Sequence, residues 1–433
     1  MPIITTEAKF AAALLKGDPL RIRGTVKLAK QHIIKRPTRL VFEPGAVLIH
    51  ESPTWCLDLA APLIVEHGRI EGLTPRLGYW LNIGGTKRAG EDGRLILEHC
   101  TFRKFGSVVV MSGSSQAPLG PRTVLDDCEF NDIGSAEYNG LGKVGAICLG
   151  WHLGHTRITG CRWMSGIYGN AVYAAESGMA SHALGEPLII EKCLVRSAGR
   201  NGFETFSAAK AWILDNELEN VATMEGAGIG ISCAGGDSVV RGNRLRRIGN
   251  YAAEIYGPGI TFTENTIEEV LRDDPNPGVG LSIDRCTDSV VANNRFKNIR
   301  SAQFPRHACV VVNSQNVRLH NNDFDGVSYG IWGNTGCEAL TVRENEFLVE
   351  LDAEPRAKGY VPMAGIFMSG VRNQMLNNVA TVGATLSALT PEQRRQLFAF
   401  HVGTGGYADL SGKLIGPMSA LTGVGNASSN MVI

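Results

Sequence analysis

The chain has 433 residues, 44% of them hydrophobic and 19% charged, with 42 Lys and Arg against 42 Asp and Glu. Zero net charge without blocks of one sign excludes the basic footprint of a nucleic-acid binder, and no apolar run reaches the about 18 residues that a membrane-crossing helix needs. The 52 glycines favour many tight turns and little helix.

In chain order, residues 6–17 (TEAKFAAALLKG) predict a short amphipathic helix ending at glycine, suited to cap one end of a stack. From there a pattern recurs: an apolar strand, one or two polar residues, Cys or Asn, any residue, then a large apolar one. It reads LILEHCTF, TVLDDCEF, RITGCRW, LIIEKCLV, WILDNEL, SVVRGNRL, ITFTENTI, VVANNRF, VRLHNNDF and LTVRENEF. The key residue is Cys100, Cys128, Cys161, Cys193, Asn216, Asn243, Asn265, Asn294, Asn322 and Asn345 in turn. LIVEHGRI, at Gly68, reads as an early copy and MLNNVA, at Asn378, as a worn last one.

Copies fall 22 to 33 residues apart. A unit of that size cannot bury its own apolar face, but a stack of them can. Equivalent residues then form ladders along the axis. A buried Asn at a turn bonds the backbone of its own coil and the next, so the six Asn predict an internal ladder. The four Cys at the same position predict a stack of small buried side chains, with inter-rung disulfides as the alternative. No CxxC pair occurs, which argues against a metal centre.

A second strand follows each rung: GSVVVMSG, GAICLGW, NAVYAAE, NGFETFS, AGIGISC, AAEIYGP, VGLSIDR, ACVVVNS, YGIWGNT, AGIFMSG. Its apolar residues alternate with period two. Strand–turn–strand repeats without helices predict one long parallel sheet per face. Residues 386–400 (LSALTPEQRRQLFAF) predict a second helix, starting at Thr390 with Pro391 in its first turn. The expected division is 1–384 as solenoid with its N-terminal cap, and 385–433 as helix and tail serving as cap or oligomer contact.

These rungs and strands resemble the right-handed parallel β-helix superfamily, which includes pectate-lyase-like carbohydrate-active enzymes and phage tailspikes. The resemblance covers roughly residues 40 to 380. It implies an all-β, right-handed parallel β-helix of roughly 11–13 coils. It selects no family, and the signatures of pectate lyase and polygalacturonase are not present. Residues 1–20 lack a basic stretch followed by an apolar core. The expectation is a cytoplasmic or virion-associated protein, or a secreted one whose signal has been removed.

Under strict alternation the outward residues of the second strands are Cys148, Tyr173, Glu204, Gly230, Glu254 with Tyr256, Ser282 with Asp284, Val311 with Asn313, Trp332 with Asn334, and Phe367 with Ser369. Loops of 10 to 16 residues flank the middle coils and predict a cleft there. Aromatic rings pack on the C–H faces of sugars, while carboxylates and amides bond their hydroxyls. Glu204, Glu254 and Asp284 are therefore the candidate acid and base residues for glycosidic cleavage. Glu204 and Glu254 would lie ~9.6 Å apart, and Glu254 and Asp284 ~8 Å apart, near the ~6.5–9.5 Å of inverting glycosidases. Tyr173, Glu225, Tyr256, Arg285, His307, Asn313, Trp332 and Asn334 are the candidate substrate contacts. Gly228 and Gly230 would leave room for a sugar ring beside the carboxylates.

A polysaccharide lyase is the chemical alternative, with Lys210, Arg285, Arg306 or His307 as base and Ca²⁺ as its possible cofactor; otherwise no cofactor is expected. His152 and His155 form a loop HxxH without a carboxylate at fixed spacing, and no metal site is expected there. The remaining alternatives are a tailspike-type depolymerase and a non-catalytic scaffold or lectin. The expected partner is an oligo- or polysaccharide, with neither nucleic acid nor membrane, and a homo-oligomer, preferably a trimer.

Overall fold

The structure is a computed structural model describing residues 1–17, 19–73, 78–84, 93–111, 120–134, 145–150, 154–174, 186–205, 210–221, 228–271, 278–299, 307–327, 329–334, 336–350, 364–370, 372–382, 398–403 and 431–432. Its contacts form two compact units, Met1–Glu217 and Leu218–Ile433. Each is built of parallel strands stacked coil on coil.

One backbone device shapes every coil. The residue before each rung position takes a left-handed conformation. In the first unit these are His67, His99, Asp127, Gly160, Lys192 and Asp215; in the second, Gly242, Glu264, Asn293, Asn321, Glu344 and Asn377. Such a residue cannot continue a strand, so the chain turns a corner there. Strand Arg94–Glu98 thus ends at His99 (φ 52°), Cys100 points inward, and Thr101–Arg103 leaves as a separate strand before Ser107–Met111. Each coil therefore has three strands where sequence periodicity showed two, because the short x–apolar tail after the rung is a strand of its own.

In the first unit, one sheet runs from Ile3–Ile4 and Leu20–Ile22 to Ala211–Leu214. A second runs from Thr25–Leu28 to Leu194–Val195, and a third from His32–Ile34 to Phe203–Thr205. Stacking thus begins at Leu20, before the residue 40 expected from the rungs. In the second unit the corresponding sheets begin at Val239–Arg241, Arg244–Ile248 and Ile229–Ala234.

The N-terminal helix is Glu7–Lys16, as expected. Thr6 Oγ1 accepts the Lys9 N–H at 3.3 Å, and Gly17 closes the helix at φ 75°. Phe10, Ala13 and Leu14 face the first coils. Glu7 Oε1 accepts from Ala29 N (3.0 Å) and Lys30 N (2.9 Å) and meets His32 Nε2 (3.0 Å), which ties the helix to the third sheet. Thr6→Ala removes the side-chain cap. The expected loss is about 1 kcal/mol of unfolding free energy, read from a shift of the urea midpoint at constant slope.

The cores are ladders. Phe102 stacks on Phe130 at 5.6 Å between centroids, and Phe130 on Trp163 at 5.1 Å; in the second unit Phe296, Phe324 and Phe347 stack at 4.7 and 4.6 Å. All occupy the large apolar position two residues after a rung. The rung Asn form the expected internal ladder: the side-chain amides of Asn243, Asn265, Asn294, Asn322 and Asn345 each donate to the next Oδ1 at 2.9–3.0 Å. The rung Cys Sγ atoms instead meet carbonyls of the preceding coil at 3.4–3.7 Å. All ten cysteines are buried free thiols. Burial pushes the Cys286 thiol up to about 12 and those of Cys56 and Cys309 further, which suppresses thiolate chemistry.

The C-terminal expectation is corrected in part. Phe398–Gly403 is a strand paired with Ala364–Ser369, so the last three residues of the expected helix are not helical. The free backbone edge of the sheet outweighs local helix propensity there. Residues 386–397, including Thr390 and Pro391, lie outside the described residues. From the tail, Met431–Val432 pairs with Val379–Val382.

Candidate functional site

The third sheet of each unit carries the candidate residues, and its outward face differs from strict alternation. Val279, Val310, Tyr329 and Trp332 form one packed cluster. In register, Tyr329 aligns with Val279 through His307, and Trp332 aligns with Ser282 through Val310. Two columns three residues apart thus share the outer face. Period two forbids this in a straight strand, so the strand bends between them.

The residue just after the first column sits inside the bend. Gly230 shows why it is small. A Cβ there would lie 2.5 Å from Ala252 O and 3.0 Å from the Leu245 side chain in the interior. The expected opening for a sugar ring at Gly230 is therefore corrected: the side where a Cβ would stand faces the packed core and has no room. Val311, also expected outside, is fully buried, and Val310 takes the outward place.

The bend exposes a motif hidden by alternation. Each strand opens with an outward residue, and a second follows three later: Asn170 and Tyr173, Asn201 and Glu204, Tyr251 and Glu254, His307 and Val310, Tyr329 and Trp332. The residues singled out in the sequence include Tyr173, Glu204, Glu254, His307 and Trp332 and omit Asn170, Asn201, Tyr251, Val310 and Tyr329. The spacing-three recurrence was the available signal.

In the first unit Glu204 is half-buried beside Tyr173, its register neighbour. Its Oε2 accepts from Asn170 Nδ2 at 2.7 Å and Asn201 Nδ2 at 2.6 Å. Lys210, a candidate lyase base, lies just before the strand Ala211–Leu214 of another sheet.

In the second unit Glu254 Oε2 accepts from Ser232 Oγ at 3.1 Å. Burial, and then the charge of Glu254, push the Tyr251 hydroxyl above its ordinary range, which keeps it a proton donor. Glu254 aligns with Ser282 and Tyr256 with Asp284. Asp284 is thus one coil and two residues from Glu254, ~8 Å between Cα atoms on ideal sheet spacing. Asp284 Oδ1 is buried without a hydrogen-bond partner among the described residues and lies 3.9 Å from Arg285 Nε. The Arg285 guanidinium sits over the Tyr256 ring at 5.6 Å, and its Nη1 donates to the Tyr256 hydroxyl at 3.2 Å. That hydrogen bond, and then the charge of Asp284, hold Arg285 more firmly cationic.

Other expected contacts are corrected. His307 is 1% and Trp332 6% exposed, so neither is an open platform. His307 stacks on Tyr329 at 4.9 Å and meets Trp332 edge-on at 6.1 Å, burying its ring in an aromatic cluster. Asn313 and Asn334 close a corner: Asn334 Nδ2 donates to Asn313 Oδ1 at 3.2 Å, and its Oδ1 accepts from Asn313 N and Gly336 N. Glu225, Gly228's neighbours 222–227, Arg306 and His152 lie outside the described residues. His155 pairs with Glu186. Among the described residues no group of three His, Cys, Asp or Glu is placed to hold a metal ion.

A family model described as "Right handed beta helix region" matches residues 145–347. The fold is that of a right-handed parallel β-helix. No curated protein matches the chain. Solved structures similar to this β-helix include tailspike protein 3 of bacteriophage CBA120, at 11% identity and TM-score 0.49, with 86% of this chain and 58% of the tailspike covered. The chain therefore spans little more than half the length of that tailspike. Others are the periplasmic alginate epimerase AlgG (9% identity, 86% and 78% covered, TM-score 0.40) and PfbA, a surface adhesin of Streptococcus pneumoniae (10%, 98% and 95%, TM-score 0.42).

Proposed function

We propose that this β-helix hydrolyses glycosidic bonds of an oligo- or polysaccharide on the outer face of its third sheet, with Glu254 and Asp284 as the acid and base. The observation that carries the reading is the register of these two carboxylates. Their ~8 Å backbone spacing leaves room for a water between the attacked sugar and the base, as inversion requires. Tyr256 supplies a half-buried ring beside them, and Tyr251, Ser232 and Arg285 supply donors. Asp284 Oδ1, which has no hydrogen-bond partner among the described residues, is an acceptor suited to a substrate hydroxyl. Glu204 stays in the proposed set as a substrate-contacting carboxylate of the first unit, with Tyr173.

Arg285 is engaged as a cation: its Nη1 donates to the Tyr256 hydroxyl and its Nε faces Asp284 Oδ1 at 3.9 Å, which supports hydrolysis over its use as a lyase base. A lyase base must give up its proton, and both neighbours of Arg285 oppose that. His307, the other described candidate from the second unit, is buried among aromatic rings.

The test is digestion of a glycan library read by mass. Products with saturated ends whose masses sum to the parent plus one water support hydrolysis. Unsaturated ends identify a lyase and overturn the mechanism; no cleavage of any glycan overturns the enzyme reading.

A further inference from the structure

Glu204 receives two buried amides on a single carboxylate oxygen. Two asparagines on successive coils, Asn170 and Asn201, occupy the first outward column and are 0% and 4% exposed. Both side-chain amides donate to the same atom, Glu204 Oε2, at 2.7 and 2.6 Å. The amide orientation is fixed as well: Asn170 Oδ1 accepts the Asn201 backbone N–H at 3.1 Å, which turns Asn170 Nδ2 towards the carboxylate. Removing Glu204 would strand two buried amides, and removing either amide would free the carboxylate to rotate.

Packing does not demand this cluster. Elsewhere in the same unit Tyr79, Val110 and Cys148 of these columns bury one another without charge, while Asp58, in the column of Glu204, accepts from Asn82 Nδ2 and Gln31 Nε2 on separate oxygens and so lacks the convergence of two amides on one atom. A carboxylate with two buried amides is a costly way to cover the same surface, because every donor must be satisfied. What it offers is a carboxylate with a set position before any ligand arrives. We infer that Asn170 and Asn201 are positioning residues that fix the Glu204 carboxylate for contact with the substrate. The role assigned to Glu204 rests on the glycan-processing reading above; the clamp itself does not.

The clamp is tested without any substrate. In ¹⁵N-labelled protein the side-chain Nδ2 protons of Asn170 and Asn201 are followed by NMR hydrogen exchange, and both are expected to exchange slowly with water. Asn170→Ala and Asn201→Ala are each expected to speed exchange at the remaining amide by about tenfold, because the carboxylate is then free to rotate away from it. Asn170→Ser and Asn201→Ser, which keep a polar group and less disturbed packing, are expected to act the same way. Fast exchange in the parent, or unchanged exchange in folded variants, overturns the clamp. A glycan cleaved by the parent then gives the second readout: Asn201→Ala lowers kcat about tenfold with KM within about threefold. A rise in KM alone overturns positioning in favour of plain binding. Failure of the whole glycan library sinks the functional reading and leaves the NMR result to decide the clamp.

Discussion

Glu254→Gln and Asp284→Asn are each expected to lower turnover by about 10²–10⁴-fold, the range a positioned acid or base contributes, while glycan affinity stays within a few fold. Both substitutions keep the side chain's size while removing the charge and the ability to give or take a proton, and they exchange one acceptor oxygen for an amide donor. Glu254→Gln can still meet Ser232 Oγ, so the strand Tyr251–Pro258 has no reason to shift. Asp284→Asn removes the charge facing Arg285 Nε at 3.9 Å, a partly exposed pair whose loss costs little stability. Turnover at saturating glycan, with calorimetric affinity beside it, separates chemistry from binding. The variant that keeps activity on glycosides with good leaving groups has lost the acid, because such groups depart without protonation. Full turnover in both variants would remove the pair from the mechanism. Loss in only one would leave a single-carboxylate reaction and refute the acid–base division.

The sequence revealed the solenoid because its ladders repeat the same residue type. Asn265, Asn294 and Asn322 repeat as Asn because the short amide accepts from the preceding coil through its oxygen while its two N–H groups donate to a carbonyl and to the next Asn, a second donor that a hydroxyl lacks. The helix at Glu7–Lys16 was legible for a local reason, a threonine cap at one end and a glycine at the other. The third strand of each coil was hidden. The residues that make the corner range over His, Asp, Lys, Glu, Asn and Gly, so a backbone angle recurs where no side chain does. The outward face of the third sheet was half legible. Glu204, Glu254 and Asp284 followed from alternation, but the bend in each strand brings a residue three positions earlier to the same face. Strict period two puts that residue inside. It therefore missed the Asn170–Asn201 clamp and Tyr251, and it misplaced Gly230 and Val311. Trp332 and His307 were read as open because alternation gives direction and says nothing about neighbours; their cluster with Tyr329 depends on three successive coils.

Asn294→Ala is expected to cost about 3 kcal/mol of unfolding free energy, a large part of the roughly 5–15 kcal/mol typical of a folded domain. Asn294 Oδ1 accepts the Asn265 backbone N–H at 2.9 Å and the Asn265 amide at 3.0 Å. Its Nδ2 donates to Phe262 O at 3.0 Å and Asn322 Oδ1 at 2.9 Å. Alanine breaks all four bonds, and the Asn265 N–H loses its acceptor inside the core. Asn294→Asp keeps both acceptor bonds, yet it loses both donor bonds and adds a buried charge. It is therefore expected to be at least as damaging as alanine. The matched control is Cys161→Ala, at the same rung position in the first unit. Sulfur is a weak hydrogen-bonding group, and Cys161 Sγ stands 3.7 Å from Leu125 O. That change is expected to cost about 1 kcal/mol, mainly lost packing. Urea unfolding, with amide exchange at Asn265 as a local readout, compares them. Equal costs at Asn294 and Cys161 would mean that the ladder's hydrogen bonds add nothing beyond filling space. A larger cost at Asn294, with fast exchange confined to the neighbouring rung, is what a one-dimensional stack of hydrogen-bonded coils requires.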